Sequence, residues 1–300
     1  MSDLPKIFHL QFDPARWTQL ERLRAMLGKP LPTTRASYQA LDACLGHLQK
    51  YQALCRVAAR IIPNLPKDRL ELETYGASRN LHCEEFGALL EAMLCELYES
   101  LDGLRHLLCV VYPKAQGLQD KSNEKLFQRA KNKRYSADFP EPIRIALAAA
   151  YDDWFPKLHE LRTKITHGTV GSFYLDEKQE SVNYINEGLS SLNQVFAIKD
   201  ILSTVRAYDA NVRSLLETIA GFFLAQLLPI PRMYPCGVYL GRMYIRMVAP
   251  TTDMTIHSGH CASWDWFEKE PGLFCPLARQ CSAYTRKWPG GNAAALAASR

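Results

Sequence analysis

A mainly α-helical fold, an antiparallel helical bundle with a β-hairpin inserted before its last long helix, is predicted by three features of this 300-residue chain. Four principal segments repeat apolar residues at three- and four-residue steps over helical lengths. Proline or glycine closes each of them. Before the last one the pattern changes to two short runs of Phe, Tyr, Val and Ile, the signature of paired strands. Helices with one apolar stripe bury it by packing antiparallel against one another.

Taken in order, residues 6–12 suit a short strand. Residues 14–27 read as a helix with Trp17, Leu20, Leu23 and Leu27 on one side, and 28–34 as a connector rich in Pro, Gly and Thr. Residues 36–62 form a long helix ended by Pro63, and the polar stretch 64–80 reads as a loop with a short helical turn. Residues 81–112 carry the broadest apolar face, from Phe86 and Leu90 to Leu104 and Leu108, with Glu84, Glu85, Glu91, Glu96 and Glu99 over much of the rest. Pro113 stops that helix, and a basic segment follows.

A further helix starts near Pro142, which a first turn tolerates, and Pro156 either kinks or restarts it. Trp154, Leu158, Leu161 and Ile165 then make one apolar stripe. Gly168 stands where a left-handed C-cap needs no Cβ, and Lys164 and His167 lie in the last turn, where the helix dipole favours positive charge. Residues 172–175 and 181–185 form the hairpin, and 198–228 the last helix, ended by Pro229 and Pro231. Residues 230–300 hold six of the 17 prolines, with Gly-Gly and an Ala-rich end after Trp288, and the pattern assigns them no fold. The organisation expected is an N-terminal extension (1–35), a helical domain (36–228) and a C-terminal extension (229–300).

An apolar fraction of 47% with 22% charged residues is ordinary for a soluble globular chain. No apolar run reaches the length that spans a bilayer, and Met1–Lys6 carries no apolar signal core. Nine dispersed cysteines, five of them within helical patterns, fit a reducing compartment, so a cytoplasmic protein is expected. The net charge of +5 is accounted for by residues 113–135, which hold seven basic and two acidic side chains. A local basic patch is a candidate contact for a polyanion. Lys131, Lys133 and Arg134 are the candidate RNA-binding residues, with Tyr135 as a ring on which a base could stack.

The candidate catalytic residues lie at the end of the helix carrying Leu158 and Leu161. His159, Thr163 and His167 drift onto the side away from its apolar stripe, with Arg162 at the border. An arginine can clamp a phosphate through paired hydrogen bonds, and a histidine exchanges protons near neutral pH. The string Leu161-Arg162-Thr163-Lys164-Ile165-Thr166-His167-Gly168, arginine and histidine separated by four residues on a bundle helix, resembles the signature of the HEPN superfamily. The resemblance covers residues 36–228, and some members carry extra strands between the last two helices.

The resemblance implies a metal-independent endoribonuclease, related to toxins or defence factors, with Arg162, Thr163 and His167 at its site. It also implies a homodimer that pairs two motifs, and 2′,3′-cyclic phosphate products. Thr163 stands where catalytic members often carry Asn, Asp or His. That departure favours the alternative, a non-catalytic HEPN module binding nucleotide, RNA or a protein partner. A nucleotidyltransferase-type antitoxin, a common partner of HEPN toxins, would have to be a separate protein.

No cofactor is expected, because phosphate-loop, nucleophile-elbow and His-Glu-x-x-His patterns are absent. No metal site is expected either. His159 and His167 are eight residues apart, about 12 Å along a helix. Cys236, His257, His260, Cys261, Cys275 and Cys281 contain no Cys-x-x-Cys knuckle and match no standard zinc-finger spacing.

Overall fold

The computed structural model describes residues 9–10, 18–118, 122–167, 171–176, 181–185, 197–239, 242–250, 254–265, 275 and 277–286, without the side chains of 9–10, 165–167, 239 and 242. Its contacts divide the chain into two compact units, one of residues 34–219 and one of residues 1–33 with 220–300.

The helical unit is built on the antiparallel pair α2 (Arg35–Ile61) and α4 (Leu81–Val111). Thr34 caps α2 by accepting from the Ser37 N–H at 3.2 Å. Leu41, Cys44 and Leu48 of α2, and Phe86, Leu90, Leu94, Leu97 and Leu101 of α4, are buried. Gly103 sets how closely the two helices approach. A Cβ there would lie 2.8 Å from both the backbone nitrogen and Sγ of Cys44. Gly103→Ala is therefore expected to lower stability by about 1–3 kcal/mol, the usual cost of overpacking a tight core. The urea midpoint of the far-UV circular dichroism reads this, and an unchanged midpoint would show that α2 and α4 are not so close.

The stretch 64–80 is more ordered than its polarity suggests. It forms α3 (Leu65–Tyr75), ended by Gly76 in the left-handed conformation at φ 71°. Its helix was hidden because Leu70 and Leu72 point to solvent instead of marking a buried stripe. Asp68 explains its place: it is buried and accepts from the Cys83 N–H at 2.8 Å, so α3 satisfies a donor in the first turn of α4.

The basic segment also contains a helix, α5 (Asn123–Lys131), capped by Ser122. It is followed by α6 (Glu141–Asp153) and α7 (Phe155–His167). Pro156 restarts the helix; it stands in the first turn of α7, where its missing N–H costs nothing. Trp154, Leu158 and Leu161 are buried as the stripe requires. The side chain of Ile165 and all of Gly168 lie outside the described residues. The hairpin forms as expected, β2 (Ser172–Asp176) pairing antiparallel with β3 (Ser181–Ile185), and a two-residue β4 (Ala197–Ile198) adds to β3. The last long helix is α8 (Ile201–Gln226).

In the second unit the N-terminal and C-terminal segments share one antiparallel sheet, so they are not separate extensions. Its order is β1 (His9–Leu10), β5 (Arg232–Tyr239), β6 (Arg242–Val248) and β7 (His260–Cys261). A bulge interrupts β5 at Pro235–Gly237, where proline cannot donate to the ladder. Helix α1 (Gln19–Met26) opens on a capping box, Thr18 N–H to Glu21 at 2.7 Å and Glu21 N–H to Thr18 Oγ1 at 3.2 Å. No helix among the described residues is long and apolar enough to cross a membrane.

Candidate functional site

Helix α7 runs antiparallel to α4, and α4 holds it at three points. Phe155 and His159 pack on Tyr98, with ring centroids at 6.2 and 5.6 Å. Arg162 follows one turn later. Its Nη2 donates to Glu99 Oε1 at 2.9 Å, and its guanidinium lies 4.9 Å from the centre of the Tyr98 ring. Beyond the end of α7, the Gly171 N–H donates to Glu91 Oε1 at 3.2 Å. Glu91 and Glu99 are two turns apart on α4, so this one helix fixes both the arginine of the motif and the chain that leaves it.

Arg162 thus lies at the edge of the packed surface with a side chain 26% exposed, paired to a Glu99 side chain that is 33% exposed. Thr163 is half-buried on the next position. His167 is the last residue of α7, and its side chain lies outside the described residues.

Among the described side chains, His159 shares the Tyr98 contact with Arg162. Its Nδ1 lies 2.9 Å from the Tyr98 hydroxyl, and its Nε2 lies 3.7 Å from Glu124 Oε2 on α5. Burial, reinforced by the Asp102 charge, pushes the Tyr98 phenol up to about 12. The phenol therefore stays protonated at neutral pH, and its hydroxyl shares a hydrogen bond with Nδ1. Glu91 is raised above the usual carboxylate range, first by burial, with the bond from Gly171 opposing the shift.

His159 does not face away from the packed side, as the helical wheel predicts. Helix α5 supplies a second surface: Phe127 stacks on Phe155 at 3.8 Å, and His159 stacks on the same Phe155 ring at 5.9 Å. Tyr98, Glu99 and His159 were not readable as a site because they meet across helices some 60 positions apart. A weak signal existed in the spacing of His159 and Arg162, three apart and therefore neighbours on one helix face.

The basic residues are only partly gathered. Glu124 at the start of α5 reaches His159, whereas Lys131 stands at the other end, about 10 Å along that helix. Lys131 pairs with Asp152 at 2.5 Å across an exposed surface. Such exposed pairs contribute about 0–1 kcal/mol. Lys133 and Arg134 are exposed in the turn that follows, with Lys133 at φ 52°. Tyr135 is committed to the fold, since its hydroxyl donates to the Leu126 carbonyl at 2.5 Å and its ring packs on Phe139.

Comparison of the chain with protein-family models, with curated proteins and with solved structures returns no match.

Proposed function

We propose that the helical unit is a metal-independent endoribonuclease of HEPN type, acting as a homodimer. The observation that carries this reading is the seating of Arg162. Glu99 and the Tyr98 ring hold its guanidinium at the surface of α7, one turn after His159 and five residues before His167. A scissile phosphate would meet a cation already oriented, which lowers the cost of arranging the transition state. The 2′-hydroxyl attacks the neighbouring phosphorus, a base removes its proton, and the bond to the 5′-oxygen breaks as an acid protonates that oxygen. The products are a 2′,3′-cyclic phosphate and a 5′-hydroxyl. His167 serves as one proton-transfer group. His159 is about 12 Å away along the helix, too far to serve the same phosphodiester, which supports a second motif from another copy of the chain. Thr163 lies beside Arg162 and lines the same edge.

The second reading, a non-catalytic module for nucleotide, RNA or a protein partner, draws on the same ion pair. Glu99 already shares the charge of Arg162, and its carboxylate would repel a phosphate that must come close. Thr163 supplies neither an amide nor an acid. A separate nucleotidyltransferase-type antitoxin belongs with the toxin version of the first reading. Gel analysis of RNA and of DNA of matched sequence, both in EDTA, separates the two readings. Cleavage of RNA alone is expected, and a well-folded dimer that cleaves no RNA moves the assignment to the binding module.

Lys131, Lys133 and Arg134 are proposed to guide the RNA backbone. Each neutralised phosphate contributes about 0.7 to the slope of log affinity against log salt for single strands. The triple alanine variant should therefore flatten that slope by up to about 2. Fluorescence anisotropy over a salt series measures it, and an unchanged slope removes the three residues from the interface.

A further inference from the structure

The four C-terminal cysteines are scattered in sequence at 236, 261, 275 and 281, yet they line one small cavity in the second unit, together with Tyr244 and Arg246. Cys236 comes from the bulge in β5, Cys261 from β7, and Cys275 and Cys281 from the segment leading into a helical turn at Ser282–Thr285. Arg246 of β6 is 1% exposed and reaches into this group. Its Nε donates to Cys236 Sγ at 2.9 Å and its Nη2 to Cys281 Sγ at 3.6 Å. Its Nη1 donates to the carbonyls of Thr255, Ile256 and Ser258 at 3.0–3.2 Å.

From this juxtaposition of four cysteines and a buried guanidinium we propose that Cys236, Cys261, Cys275 and Cys281 form a structural zinc site. Four thiolates around Zn²⁺ carry a net charge of −2, and a buried arginine beside them offsets part of it. N–H donors aimed at ligand sulphur are the outer contacts that orient metal thiolates and tune them. Soft, all-sulphur ligation in a tetrahedral set selects zinc or an iron–sulphur cluster, and a small cavity suits a single ion. Four protein ligands leave no open position, so the site is structural and not catalytic. Its role follows from where the ligands sit: the ion ties β5, β7 and the last described segment together in a unit with a modest core. The missing Cys-x-x-Cys knuckle is no obstacle, because the bulge and the sheet, not a local turn, bring the ligands together.

As placed, the Cys236 and Cys281 sulphurs accept from Arg246, and the Cys281 thiol donates to the Ile256 carbonyl at 3.2 Å. Among the described residues no group of three His, Cys, Asp or Glu side chains is set to hold a metal ion. Binding therefore requires the four sulphurs to draw in to about 2.3 Å from one point, with loss of the thiol protons.

The test is metal analysis of the reduced full-length protein, purified without chelator. One zinc per chain is expected, retained in Cys55→Ser and lost in Cys261→Ser and Cys275→Ser. To separate loss of the ion from loss of the fold, Co²⁺ is also exchanged into the wild-type protein, where sulphur-to-cobalt charge transfer and the visible bands of a tetrahedral thiolate site should appear. Absence of both zinc and the cobalt bands overturns the proposal. So does iron with inorganic sulphide in place of zinc, or a disulfide between any two of the four cysteines in the native protein.

Discussion

Replacing His167 with alanine is expected to slow RNA cleavage by about 10²–10⁴-fold, the range that a positioned general acid or base contributes. His167 ends α7, beyond the buried Leu158 and Leu161, so its loss should leave the bundle folded. Arg162→Ala should fall by a comparable factor, since it removes the group that meets the phosphate charge. Arg162→Lys should recover little, because an ammonium lacks the planar fork that seats on Glu99 and Tyr98 together. His159→Ala adds a diagnostic arm. Activity that survives in His167→Ala but is abolished in His159→Ala would move the chemistry to the cluster formed by His159, Tyr98 and Glu124. Initial rates on a defined single-stranded RNA, with circular dichroism as the folding control, distinguish these results.

The second large effect concerns stability. Arg246→Met keeps much of the side-chain length but withdraws the donors to the Thr255, Ile256 and Ser258 carbonyls and to Cys236. A buried polar group left without its partner costs about 1–3 kcal/mol, and of the three bonds only the one to the Ser258 carbonyl is fully buried, so a loss of about 1–3 kcal/mol is expected. That is a large part of what holds a small domain. The turn that presents these carbonyls is itself built on Ser258, whose N–H donates to the Thr255 carbonyl at 3.0 Å and whose Oγ accepts from the Thr255 N–H at 2.8 Å. Limited proteolysis should cut Arg246→Met within residues 232–286 while leaving 34–219 resistant. A variant as resistant as the parent would show that Arg246 does not organise this turn.

The fold was legible where burial follows periodicity. Helices α2, α4 and α8 carry long apolar stripes, and their ends fall within three residues of the proline and glycine signals. Helices α3 and α5 were less legible for different reasons. The stretch 64–80 showed only a short helical turn, because α3 is retained by specific contacts such as Asp68 with the start of α4 while Leu70 and Leu72 are exposed. Helix α5 does carry a short stripe, with Asn123, Leu126, Phe127 and Ala130 buried at three- and four-residue steps, but it spans nine residues inside a basic run. The C-terminal sheet was hidden because its first strand lies more than 200 residues from its partners, and because Pro235 and the bulge break the alternation of β5. At the candidate site, Arg162 and His167 could be found as a string on one helix. Tyr98, Glu99 and Glu124 could not, since their relation to α7 exists only after three helices have packed.

The nature of the RNA ends produced in the presence of EDTA tests the central claim most directly. Mass spectrometry of the fragments should find 2′,3′-cyclic phosphate and 5′-hydroxyl termini, formed by the wild-type protein and not by Arg162→Ala or His167→Ala. Cleavage that requires a divalent metal, or fragments ending in 5′-phosphate and 3′-hydroxyl, would contradict the account, because attack would then have come from water and not from the RNA's own 2′-oxygen.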